Sequence, residues 1–493
     1  MEKKLKKCAE VLEEVAASNK LSRRDALKIM GLGGIGALGM GSSAQAEEGG
    51  SGSDKKATIV IVGGGAGGIM AMARLRRSAP NAKLILIAPN EVHLYQPGQV
   101  FMAAGLYTAD EIKRPNSDFI PSDVEWIKES VAEFDPDNNQ VITDKNKKIK
   151  YDFLVVATGL AYDYERIEGM RKELVGQKGI SSVYLNNPVT GDVSGGSKTW
   201  EWFRQLRAAA KKATPNNPIQ AIYTQPDTPI KCGGAPQKIL YLSDDYLRGN
   251  GPDGGADLHK NVKSYFCKKG TKLFGLPNYN KTLIEVTKMY GNIEDKWNHI
   301  LRKIDPDKKI ATFEHTYQVK GKWDPDLEDY EYITKKEMVE MPYDFIHIVP
   351  PMKPVQAVAN SPLGWQKGNA KGWLEVDKYT LQHRRYKNVF GIGDINGIPL
   401  GKTGGSARHH GPIIQENLVA VMEGKEPKAK FDGYTVCPLK TQYGKIMLAE
   451  FNYDGPAPSF PFLDPAKPRW IWWEFDLHLL KPMYWYLMLR GLM

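Results

Sequence analysis

Cysteine is scarce: four residues in a chain of 493, at Cys8, Cys232, Cys267 and Cys437. That excludes a small disulfide-stapled scaffold and leaves room for one functional pair. No run of about 20 apolar residues exists, which excludes a membrane-spanning helix. No block of five or more Lys/Arg occurs either, so the formal net charge of +10 is diffuse. A spread of that kind suits an anionic surface or an anionic substrate, and nucleic acid is not an expected partner. No metal site is expected. With 42% hydrophobic and 25% charged residues, the composition is that of a globular protein of roughly two or three domains.

The N-terminus reads as a targeting segment. Residues 22–28, SRRDALK, nearly match the twin-arginine export pattern S-R-R-x-F-L-K, with Ala26 in the phenylalanine position. A glycine-rich stretch, IMGLGGIGALGMG, and an A-x-A site at Ala44-Gln45-Ala46 follow. A signal over residues 1–46 would carry Cys8 away with it, and residues 47–56 form a polar linker.

Residues 58–70, TIVIVGGGAGGIM, place an apolar β-branched run before Gly63, Gly65 and Gly68 and a helical pattern after them. These glycines satisfy G-x-G-x-x-G, which permits a tight turn, a close approach to a pyrophosphate and tight helix–strand packing. The next strand, KLILIAP, ends at Ala88-Pro89-Asn90 without the acidic residue that holds an adenosine ribose, leaving Asn90 or Glu91 for that role. Two later segments enlarge the site: YDFLVVATG, ending at Gly159, and NVFGIGD, ending at Asp394. In this order and separation the three segments indicate FAD. The FAD domain is then discontinuous, 57–160 and 375–425, with residues 161–374 inserted.

The inserted region lacks a second G-x-G-x-x-G between residues 215 and 350. Where that turn is expected, a strand, AIYTQ, runs into TPIKCGGAPQKIL, with a helix starting near Pro236. A loop and helix N-terminus of this kind favour a thiolate, so Cys232 reads as a nucleophile placed where a phosphate would lie. Cys267, in SYFCKKG, reads as structural. Cys437 lies in FDGYTVCPLKTQYGKIMLAEF, and spacing alone does not show whether it meets Cys232.

DTPIKCGGAPQKILYLSDDYL, QHRRYKNVFGIGDINGIPLGKT and FDGYTVCPL with YGKIMLAEF resemble the sulfide:quinone oxidoreductases, nearest the branch that includes the mitochondrial enzymes. The likeness runs from Thr58 to Met493. It implies an α/β fold with two Rossmann-like dinucleotide-binding domains, the FAD/NAD-linked flavoprotein reductase fold, plus a C-terminal membrane-interacting helical segment. By the resemblance Cys232 and Cys437 are the catalytic pair, and the FAD contacts extend to Ala66, Gly67, Gln96, Val131, Asp394, Lys402, Thr403, Gly404 and Gly405. The implied partners are sulfide, a sulfur acceptor (sulfide or a small thiol) and a membrane quinone; whether the chain forms a homo-oligomer is left open by the sequence. Rival readings are the flavoprotein of a flavocytochrome c sulfide dehydrogenase, an NADH:quinone reductase, and a non-catalytic flavin-binding protein. No general base is assigned among His93, His409 and His410.

The last stretch, KPRWIWWEFDLHLLKPMYWYLMLRGLM, mixes aromatic and aliphatic residues with Arg469, Lys481 and Arg490. That composition fits a lipid interface, with a core helix pair as the alternative, and Pro482 is expected to divide it into two short helices. Residues 426–493, with Cys437, form this C-terminal region. The expected location is the periplasmic face of a bacterial inner membrane, held peripherally after export.

Overall fold

The computed structural model describes residues 52–493 apart from 325 and 327. The export signal expected over 1–46 lies outside the described residues. Residues 52–56 are docked: Ser53 N donates to Ser78 O at 2.7 Å, and Lys55 Nζ to Met422 O at 2.8 Å.

β1 (Thr58–Val62) contains four β-branched residues after its threonine, and all four are buried. Cover on both faces explains why the strand reads as an unbroken apolar run. α1 (Ala66–Ser78) follows directly, and β2 (Lys83–Ile87) pairs parallel with β1. β3 (Glu125–Ile127) extends that edge, and β4 (Phe153–Val156) pairs parallel on the other side of β1.

The chain then builds a second parallel sheet. β5 (Ile219–Thr224) leads through the cysteine loop into α2 (Ala235–Leu247), and β6 (Val262–Lys268) and β7 (Ile293–Trp297) add to one side. β8 (Ile310–Asp324) and β9 (Asp329–Pro342) form a long antiparallel hairpin, after which β10 (Phe345–His347) pairs parallel with the other side of β5. β11 (Val389–Gly391) returns to the first sheet beside β4, giving the order β11-β4-β1-β2-β3. The α/β class with two parallel sheets is therefore as the sequence indicates. α3 (Gly404–Met422) closes over α1, where Gly411 faces Met70 and Arg74. β12 (Thr435–Gln442) and β13 (Lys445–Asn452) form an antiparallel hairpin carrying Cys437.

Pro482 does not divide the C-terminal segment as expected. Helix runs from Trp470 to Met488, with widened π turns at Phe475–Leu479 and Tyr484–Met488 on either side of Leu480–Met483. A proline inside an α-helix lacks one N–H and crowds the carbonyl four residues back. π turns change that spacing and let the helix continue. The segment joins both cores, through Trp485 and Leu489 to the first sheet and through Trp472 and Trp473 to the region of α2.

A buried ion pair fixes the segment: Lys440 Nζ lies 2.6 Å from Asp476 Oδ2, with 3% and 2% of the side chains exposed. Asp476→Ala would leave a buried ammonium unpaired, at a cost of roughly 3–5 kcal/mol, whereas replacing both partners with apolar residues is expected to be near neutral. Thermal unfolding of the two single variants and the double variant measures this. Additive losses in the double variant would contradict it.

Candidate active site

Gly63, Gly159 and Gly393 follow β1, β4 and β11, three adjacent parallel strands, all with positive φ. At Gly63 (φ +120°) a Cβ would come 2.3 Å from Ala157 O, so only glycine can make this turn. Gly68 holds α1 against that turn, since a Cβ there would fall 1.8 Å from Gly63 O. A Cβ built at Gly65, Gly159, Gly393 or Gly404 meets nothing within 4 Å. These four positions outline open space at the carboxyl end of the sheet, where such folds hold a dinucleotide. No side chain caps α1, so the N–H groups of its first turn are left to face a phosphate. The residues present therefore fit FAD.

After β2, where an acidic residue is missing, two amides close on the glycine turn. Ala88 is buried and its carbonyl accepts from Trp126 Nε1 at 2.9 Å. Asn90 Nδ2 and Asn116 Nδ2 each donate to Gly64 O at 3.1 Å. Glu91 instead turns to solvent and pairs with Lys128 at 3.0 Å, so of the two candidates Asn90 lines the turn.

Gln96 accepts from Lys231 Nζ, and Cys232 N donates to Lys402 O at 2.9 Å. These bonds tie the cysteine loop to the rim of the cradle. Lys402 Nζ donates to Asp394 O at 2.5 Å and Asn396 O at 3.0 Å, 3.6 Å from the centre of the Trp373 ring. Burial lowers its pKa to about 8, against the pull of Asp394, while burial raises that of the Asp394 carboxyl. Thr403 caps α3 by accepting from Ser406 N at 3.2 Å. Gly405 abuts Val436, Gly67 abuts Ile392 and Ala66 opens α1. Val131 begins the strand Val131–Asp135 of a separate antiparallel sheet and packs against the core around β1 and β2.

Cys232 adopts φ +50°, a left-handed conformation uncommon outside glycine and asparagine. Backbone strain of this kind persists where surrounding contacts enforce it, here the Lys402 bond and Ala235 N donating back to Cys232 O at 2.7 Å. Gly234 brings the two cysteines together: a Cβ there would lie 2.6 Å from Cys437 Sγ. Both thiols are free, and each shifts the other's titration in the opposite direction. Lys238, one turn into α2 and 3% exposed, donates through Nζ to Cys232 Sγ at 3.2 Å. The Cys437 hydrogen bond, then Lys238 working against burial, holds the Cys232 pKa well below the usual thiol range. Cys437 moves the opposite way, raised by that same bond and by burial. With Lys238 on that sulfur alone, negative charge is favoured on Cys232 over Cys437. Cys267 is fully buried on β6, with its pKa raised by burial, which fits a structural role.

The histidines are packing and capping groups. His93 Nδ1 meets Asn116 Oδ1 at 3.0 Å and Nε2 meets Tyr484 OH at 2.6 Å; burial lowers its pKa to about 4. His410 accepts from Gly393 N at 3.1 Å, and His409 stacks on Tyr434 with centroids 4.0 Å apart. Lys238 and Lys231 escaped the sequence reading. The available signal was a lysine set among apolar residues of the helix that opens beside the cysteine.

Residues 57–185, which carry the first glycine turn and Gly159, match the pyridine nucleotide-disulphide oxidoreductase family. The chain is 36% identical to a mitochondrial sulfide:quinone oxidoreductase of Dictyostelium discoideum, covering 86% of this chain and 84% of that protein. It is 34% identical to the mitochondrial sulfide:quinone oxidoreductase of Mus musculus, covering 86% and 85%. The solved sulfide:quinone oxidoreductase of Aquifex aeolicus shares the fold, with a TM-score of 0.60 at 21% identity over 82% of this chain and 84% of that one. The chain belongs to the sulfide:quinone oxidoreductase family.

Proposed function

We propose that this protein oxidises sulfide to sulfane sulfur at Cys232 and Cys437 and delivers the electrons to a membrane quinone, with FAD as its cofactor. The observation that carries the reading is the unequal thiol pair, with Lys238 on one sulfur, tied by two hydrogen bonds to the rim of the dinucleotide cradle. Gly63, Gly65, Ala66, Gly67, Gly68, Gly159, Asp394 and residues 402–405 hold FAD, and Asn90 takes the ribose end. When bound, FAD supplies the two-electron oxidation of the thiol pair and the onward transfer to quinone.

The chain's own residues perform the sulfur chemistry. HS⁻ attacks the oxidised pair at Cys437: one S–S bond forms, the inter-cysteine S–S bond breaks, and Cys232 leaves as a thiolate stabilised by Lys238. A second sulfide or a small thiol then attacks the outer sulfur on Cys437 and carries it away. The test is anaerobic mixing of the flavin-loaded protein with sulfide and, separately, with NADH. Loss of flavin absorbance with sulfide is expected; loss with NADH alone would sink the proposal.

The enzyme works at a bilayer surface. No described helix is long and apolar enough to cross a membrane, and Phe462, Trp470 and Leu492 are exposed around the C-terminal segment. Export by the twin-arginine segment puts it on the periplasmic face of a bacterial inner membrane. Flotation with anionic vesicles and a mature chain beginning at Glu47 are the expected results. A chain that stays in the soluble fraction and keeps residues 1–46 would contradict this placement.

A further inference from the structure

The polar groups around the thiol pair are mostly satisfied. Tyr164 OH meets Ser182 Oγ at 2.8 Å, and Asn186 Nδ2 donates to Tyr162 OH at 3.2 Å and to Tyr184 O at 3.0 Å. Tyr184 is not satisfied: only 5% of the residue is exposed, and its hydroxyl has no hydrogen-bond partner among the described residues. A buried hydroxyl left unpaired is unfavourable, so its retention asks for a partner that arrives during the reaction. A second unpartnered donor, Gln99 Nε2, belongs to the same cluster, because Asn186 Nδ2 also reaches Gln99 Oε1 at 3.4 Å.

The surroundings of Tyr184 identify that partner. Its ring packs edge-on against Tyr162 with centroids 6.0 Å apart, and Lys231, the neighbour of Cys232 in the chain, lies 4.8 Å from the Tyr162 ring centre. Tyr184 shares its buried cluster with Cys437, and Cys232 packs against the same cluster. Burial, and after it the charge of Cys232 and then Tyr162 and Cys437, holds the phenol's pKa well above the ordinary tyrosine range. The hydroxyl therefore keeps its proton and stands as an unpaired neutral donor in the buried cluster that also holds Cys437 and packs against Cys232.

We infer that Tyr184 binds the reacting sulfur anion, its hydroxyl donating a hydrogen bond to the outer sulfur of the persulfide formed on Cys437. The inference rests on the sulfide reading above. Attack by HS⁻ leaves two anionic sulfurs once the persulfide loses its proton to solvent. Lys238 serves the Cys232 thiolate, and Tyr184 serves the outer persulfide sulfur. No further oxidant or reductant is needed for this step.

Tyr184→Phe keeps the ring and deletes the hydroxyl; Tyr164→Phe, which removes a paired hydroxyl nearby, is the control. In the flavin-loaded enzyme kcat/KM for sulfide is expected to fall roughly 10- to 100-fold in Tyr184→Phe, the size of a lost hydrogen bond to a charged group. The KM for quinone and the flavin content should stay unchanged, and the unfolding temperature should hold or rise. Mass analysis of Cys437 after brief sulfide exposure should show less retained persulfide. An unchanged kcat/KM, or a loss matched by Tyr164→Phe and by a lower unfolding temperature, overturns the role of Tyr184 and leaves the sulfide reading standing. A wild-type enzyme that does not turn over sulfide overturns both.

Discussion

Sulfide-dependent quinone reduction is expected to fall at least about a thousandfold in both Cys232→Ser and Cys437→Ser, the scale of removing a covalent participant from a catalytic unit. Serine has nearly the volume of cysteine, so the loop and hairpin should fold and the glycine cradle should still load with FAD. What is lost is the ability to make and break S–S bonds. Either substitution removes one half of a pair that the glycine at Gly234 lets approach closely. The two single variants and the double variant should therefore be about equally inactive. A Cys437→Ser enzyme that still reduces quinone with sulfide at more than a tenth of the wild-type rate would refute the two-thiol scheme.

The next largest effect is expected from Lys238→Met. Its ammonium is 3.2 Å from Cys232 Sγ and is itself buried, so its charge is little screened by solvent. Hydrogen bonds to charged groups contribute about 1.5–3 kcal/mol, and a pKa unit corresponds to about 1.4 kcal/mol. Losing Lys238 should thus raise the Cys232 pKa. The direction follows from the charge: a nearby cation favours the thiolate and holds the thiol pKa down, so its removal lets the pKa climb. The bond from Cys437 remains, which keeps the shift partial. Near neutral pH the rate of Cys232 alkylation by iodoacetamide should drop about 10- to 100-fold and recover as the pH is raised, while Lys238→Arg should keep most of the wild-type profile. If the Met variant titrates like the wild type, Lys238 is not what stabilises the thiolate.

Motifs that lie within one strand–turn–helix unit were legible in the sequence. TIVIVGGGAGGIM reads directly as β1, the turn and α1, because a parallel strand buried on both faces and a glycine turn have local causes. The thiol loop after β5 was legible in the same way, as was its helix, which starts at Ala235 beside the expected Pro236. Pro482 misled for an equally local reason: the proline rule describes an α-helix, and π turns on both sides supply a geometry that the rule does not contain.

Other features had no local cause. Cys232 and Cys437 are 205 positions apart, and they meet because Gly234 offers no side chain where Cys437 Sγ must pass. Asn90 and Asn116 converge on Gly64 from segments 26 residues apart. Lys440 finds Asp476 only once the C-terminal helix lies against the β12–β13 hairpin. The sequence alone determined the class of fold, the cofactor cradle and the thiol that replaces a phosphate turn, because each is written in contiguous residues. Only the tertiary structure decided which cysteine carries the charge, since that depends on hydrogen bonds and burial set by elements distant in the chain.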